Sequence, residues 1–208
     1  MKFLILFITL TQSWLPSLSQ NRFEGVIKFK TEFSTTNPTA TEFLQSLKNK
    51  YGDSLNIYYS SCGHMLRKYL NTGKNGNNYQ LYCTGTGKLL LNNRGSNKVD
   101  TLDVSKNTLT LLEMVKTKDT VMGIPCNCYG FKAYDTYDQR TITYCYSKKF
   151  SRIKSKRFKR YKDYFISNFY KLSKRPYLKF SINSRDFNLT FTAVQIDEKG
   201  GDIEIFSR

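Results

Sequence analysis

A chain of 208 residues with 33 Lys and Arg against 16 Asp and Glu carries a formal charge of +17. That excess favours anionic partners such as nucleic acid, acidic polysaccharide or membrane headgroups, and it says nothing about fold. The single His, His64, excludes acid–base chemistry that needs two histidines, and no G-x-S-x-G elbow, P-loop, H-E-x-x-H or dinucleotide fingerprint occurs.

No Asp or Glu spacing singles out a catalytic carboxylate pair. The chain therefore reads as noncatalytic, with no cofactor expected.

Met1-Lys2 precedes the apolar run Phe3 to Leu10, and Ser17-Leu18-Ser19 stands before Gln20. This is the charged, apolar, small-x-small order of a secretory signal peptide over 1–19, cleaved after Ser19. The run is too short for a bilayer, which needs about 20 apolar residues, and no later stretch replaces it, so no transmembrane segment is expected. The only Trp, Trp14, lies in this leader. The remainder, 20–208, is long enough for one domain with a real core, much of it supplied by 15 Tyr and 15 Phe. Export, to the periplasm or outside the cell, disfavours an intracellular nucleic-acid partner.

Phe23, Gly25, Ile27, Phe29, Thr31 and Phe33 alternate with Arg22, Glu24, Val26, Lys28, Lys30 and Glu32, which predicts an amphipathic strand. After Asn37-Pro38, the capping pattern Thr39-Ala40-Thr41-Glu42 opens a helix with Phe43, Leu44, Leu47 and Tyr51 on one stripe, and Gly52 stops it. Strands follow over 56–62, 64–71, 79–83, 88–91 and 98–104, separated by Gly/Asn-rich turns. The stretch 107–146 reads as an antiparallel meander with one dry face. Tyr129, Phe131 and Ala133 oppose Gly130, Lys132 and Tyr134, and Ile142, Tyr144 and Tyr146 oppose Thr141, Thr143 and Cys145. Strands return over 177–206.

All five cysteines, Cys62, Cys83, Cys126, Cys128 and Cys145, follow the leader, and in an oxidising compartment disulfides are expected. Cys62 and Cys83 could clip neighbouring strands, and Cys145 could meet Cys126 or Cys128, leaving one thiol over. A metal site from Cys126, Cys128, Cys145 and His64 lacks the C-x₂₋₄-C spacing of structural zinc, and none is expected.

Nine Lys or Arg lie between Lys148 and Lys162. Phe158, Tyr161, Phe165, Phe169 and Leu172 recur at spacings of three and four, which predicts a basic amphipathic helix near 155–172, ended by Arg175-Pro176. One reading is a solvated surface helix with its aromatic stripe in the core. The other is an anion-binding surface built from Lys154, Lys156, Arg157, Lys159 and Arg160. Lys154, Lys156 and Arg157 stand at the helix start, where the macrodipole opposes cations by about 0.3–1 kcal/mol each. A helix kept for stability alone favours acids there.

The predicted fold is mainly β (α+β): a strongly curved antiparallel sheet or half-barrel packed on one N-terminal helix, with the second helix near 155–172. Phe23-Glu24-Gly25-Val26-Ile27, Met122-Gly123-Ile124-Pro125-Cys126, Arg175-Pro176-Tyr177-Leu178-Lys179-Phe180 and Phe191-Thr192-Ala193-Val194-Gln195-Ile196 resemble exported proteins of Gram-negative bacteria. These are the GLPGLI-like and related domain-of-unknown-function families, whose shape is similar to the lipoprotein carriers LolA and LolB. The basic helix and the Cys-x-Cys pair depart from that pattern. The resemblance implies a concave apolar cavity in the cell envelope and no catalytic residues. The expected function is an exported, noncatalytic envelope protein that binds an apolar or lipid-like ligand. The alternative is a secreted module that grips anionic membranes, polysaccharides or other polyanions through 148–175.

Overall fold

The computed structural model describes residues 22–35, 41–136 and 138–198. The leader 1–19, the helix-opening pair Thr39-Ala40 and the last strand positions Ile203 and Ile205 lie outside the described residues. Eleven strands form one sheet: β1 (Gly25–Thr35), β2 (Ser54–Tyr59), β3 (Met65–Leu70), β4 (Asn77–Cys83), β5 (Lys88–Asn93), β6 (Val99–Asp103), β7 (Thr110–Val121), β8 (Ile124–Tyr134), β9 (Gln139–Tyr146), β10 (Lys179–Asn183) and β11 (Phe187–Glu198). Two α-helices interrupt them, α1 (Thr41–Tyr51) and α2 (Ile166–Ser173). The curved, mainly antiparallel β architecture read from the alternation is thus the one observed.

The spatial order is β6-β5-β4-β3-β2-β1-β11-β10-β9-β8-β7. Every neighbour in space is a neighbour in sequence except β1 and β11, whose pairing sets Gly25 opposite Glu198. Gly25 is required there: its φ is +150°, and a Cβ would lie 2.1 Å from the Asp197 carbonyl oxygen.

The sheet is nearly a ring, open between β6 and β7. Ten antiparallel pairings separate those two strands, so they run in the same sense. Only a parallel ladder could join them, and parallel neighbours need a crossover of about a dozen residues. The connection is 104–109 alone. Seven Cα steps also hold the two edges within about 25 Å of each other at the linked ends. The sheet must curl, and it cannot close.

The curl is filled by the chain between β9 and β10. Its rings touch walls on both halves of the sheet: Phe158 and Tyr161 stack on Tyr82 of β4, Tyr177 meets Phe29 of β1, Phe165 stacks on Phe131 of β8, and Phe169 on Tyr144 of β9. This corrects the predicted helix. Instead of one helix over 155–172 there are two 3₁₀ turns, Ser155–Phe158 and Asp163–Phe165, and then α2. A straight helix carries its stripe along one line and cannot face opposite walls. Tyr164 (φ 49°) and Phe165 (φ 58°) make the turn in left-handed conformation, at roughly 1–2 kcal/mol each. Burying each aromatic side chain returns roughly 1.5–3 kcal/mol, so packing wins.

The N-terminal helix also sits differently from expectation. No residue of α1 is buried; it lies against the sheet's end through Tyr51, whose ring meets Tyr69 and Phe191. The sheet wraps 153–178 instead. The dry face expected of 107–146 holds for β8 and β9 but not for β7, an edge strand paired only with β8. There Leu111, Leu112 and Met114 are exposed, Leu112 to 56 %.

Candidate functional site

On β3 Met65, Leu66 and Tyr69 are buried, and Arg67 shares the phase of Met65 and Tyr69, so a charged residue points to the inside of the curl. Register puts Gln80 of β4 beside it. One Nη1 donates to Tyr161 Oη at 2.9 Å and to Gln80 Oε1 at 3.3 Å, and Nη2 donates to Tyr177 Oη at 3.3 Å. The guanidinium also sits 5.6 Å from the Tyr161 ring centroid, a cation–π distance. Nε is sealed from solvent and has no partner. Among the described residues no carboxylate comes within ion-pair distance of Arg67. Burial opposes its charge, but the oxygens of Tyr161, Tyr177, Tyr69 and Tyr144 outweigh that and hold its pKa above the ordinary value.

Arg67 lines a cavity of about 250 Å³ under the sheet. Its apolar wall includes Leu55, Leu89, Leu91, Ile182, Leu189 and Phe191. Leu102 of the edge strand β6 also lines it and is 46 % exposed, so the cavity opens beside the unclosed seam. Lys50 and Tyr51 bring α1 to the same opening. Two further polar groups face this space. Asn77 has a buried Nδ2 without a partner. Asp163 has a carboxyl whose pKa burial pushes up, against the opposing pull of Arg67 and a backbone N–H.

The five basic residues expected to grip anions are divided by the structure. The stem of Arg157 lies against Gly63, and Arg160 Nη1 donates to the Gly85 carbonyl, so both are fixed on the β2–β3 and β4–β5 turns. Lys154 is half-buried at the start of the first 3₁₀ turn. Lys156 and Lys159 instead join Lys171 and Lys174 around an open groove of about 540 Å³ that also presents Ser155, Ser167 and Asn168. Lys171 and Lys174 lie within the expected 148–175 stretch but not among its five named residues, and the fold-back after the 3₁₀ turns sets them at the groove.

Cys128 and Cys145 form a disulfide. They are register partners on β8 and β9, on the face opposite the Tyr129–Tyr144 pair. The expected link of Cys62 to Cys83 is not made, and both are free thiols. Met65 pairs with Tyr82, which sets Cys83 level with His64 and leaves Cys62 in the preceding turn. Cys126 is buried and free, and burial pushes its thiol pKa up. As for a metal, Asp119 stands beside Cys128 and Cys145, but both sulfurs belong to the disulfide and Asp119 is paired with Lys179 at 2.8 Å.

Arg67 and Asp163 escaped the sequence reading, although Arg67 carries a signal: a charge in the apolar phase of Met65-x-Arg67-x-Tyr69. The chain matches no protein-family model and no curated protein. No described helix is long and apolar enough to cross a membrane.

Proposed function

We propose that this is an exported, noncatalytic binding protein that holds an apolar or lipid-like ligand inside its curled sheet. The observation that carries this reading is the cavity of about 250 Å³, walled by Leu, Ile, Phe and Tyr side chains with a few polar groups among them, and open at the unclosed seam. Its volume lies just under the ~300–1,000 Å³ usual for small-molecule sites, which suits a single medium-length chain better than a whole lipid. The disulfide fits an oxidising compartment, in keeping with the leader pattern of 1–19.

Calorimetry with decanol, an uncharged ten-carbon chain, tests it. Binding is expected to saturate at one site and to be lost in Leu91→Trp and Leu102→Trp, which fill the opening. No uptake by the wild type, or uptake indifferent to both fillings, would overturn the reading.

A second reading has its own support in the groove of Lys156, Lys159, Lys171 and Lys174. It is a contact for anionic membrane surfaces, where each basic residue contributes about 1 kcal/mol near the headgroups. Phosphatidylglycerol vesicles should bind at low salt and release as ionic strength shortens the screening length. Changing all four lysines to Gln should abolish that binding, and vesicle binding that survives the change would remove this reading.

A further inference from the structure

We infer that the polar end of the ligand is a carboxylate held by Arg67. The inference rests on the cavity reading above and names the chemistry of its occupant. A guanidinium has five N–H donors. Tyr161 and Gln80 take the two on Nη1 and Tyr177 takes one on Nη2. Two are left over: the unpartnered Nε, which is sealed from solvent, and one N–H on Nη2, which is the donor left for a ligand. A half-buried guanidinium with no carboxylate in ion-pair contact is unfavourable, and a partly satisfied polar network is worse than an apolar core. Met at this position would pack beside Met65 and Tyr69 with no such penalty. The arrangement makes sense as half of an ion pair whose other half is the ligand.

The details select the class. Two hydroxyls and an amide oxygen hold the guanidinium in place before any ligand arrives, and its remaining Nη2 N–H makes a charge-assisted bond with a carboxylate oxygen. Asp163 shares the wall, so the local charge excess is small and favours a monoanion over a phosphate dianion. The leucine wall takes the rest of the molecule. The occupant is an amphiphilic monocarboxylate with its acid inside.

Titration calorimetry at pH 7.5 with decanoate, decanol and decyl phosphate is the test. Wild-type protein should bind decanoate at least tenfold tighter than decanol and no weaker than decyl phosphate. Arg67→Met should bind acid and alcohol alike, and Arg67→Lys should lose most of the preference despite keeping its charge. Equal affinity of the wild type for acid and alcohol would overturn the carboxylate while leaving the apolar site standing. Decyl phosphate binding tenfold tighter than decanoate would overturn it too. Absence of binding by any of the three would remove the cavity reading with it. If Arg67→Met does not fold, the wild-type comparison and Arg67→Lys still decide.

Discussion

Asp163 and the tyrosine pair at the heart of the curl are the residues whose energetics are most open to measurement. Burial raises the pKa of Asp163 despite Arg67, so the folded chain binds a proton there more tightly than the unfolded one. That preference favours the fold fully below the unfolded value of about 3.8 and is lost as pH rises through the folded value. Asp163→Asn should therefore be neutral near pH 3 and increasingly stabilising toward pH 7, as thermal unfolding across that range would show; a constant difference would contradict it. Tyr59 and Tyr170 share a hydroxyl–hydroxyl hydrogen bond of 2.9 Å in the core, with Met65 Sδ 3.6 Å from Tyr170 Oη. Removing either hydroxyl breaks this bond, at about 0.5–1.5 kcal/mol. The Tyr59→Phe, Tyr170→Phe double variant should lose less than the sum of the singles, and additivity in denaturant unfolding would refute the coupling. At this scale the sequence is hard to read. The alternation put Arg67 on the inner face, but nothing local says that two tyrosines from 94 and 110 residues away would meet it.

Strands were legible because period two is a local property, and β1 from Ile27 to Glu32 and β9 from Thr141 to Tyr144 follow it, while Val26 and Cys145 are buried out of phase. The 155–173 segment was legible only in part. Its three- and four-residue spacings record which rings are buried, and Phe158, Tyr161, Phe165 and Phe169 all are. They do not record that the rings face opposite walls, and no Gly or Asn marks the left-handed turn at Tyr164 and Phe165. The apolar run on β7 misled for a related reason: hydrophobicity does not reveal which strand lacks a neighbour. The disulfide belongs to this scale as well. Cys128 and Cys145 are separated by 17 positions, and closing a loop near that size restricts the unfolded chain by about 3 kcal/mol. Cys145→Ser, or reduction of the wild type, should lower unfolding free energy by about that amount. A loss below 1 kcal/mol would mean that the β8–β9 hairpin persists in the unfolded state.

For the molecule as a whole, the covalent ends and the physical gap are in different places. The described chain begins and finishes on β1 and β11, side by side in the middle of the sheet, while the missing ladder lies at 104–109. The β1–β11 pairing therefore brings together strands from opposite ends of the described chain, a slow and entropically unfavourable search. The connection offers a remedy, since Lys106 within it is exposed. Joining 198 to 22 through a short Gly/Ser linker and opening the chain at Lys106 gives a permutant whose sequence order equals its spatial order, from β7 through β11 and β1 to β6. Every pairing then joins strands adjacent in sequence, with β9 and β10 still linked through the segment that fills the curl. Stopped-flow refolding should show the permutant folding faster than the natural chain, and an unchanged rate would place the barrier in the packing of the aromatic interior instead. The gap in the sheet is thus also the point at which this protein can be cut and rejoined without breaking a strand pairing.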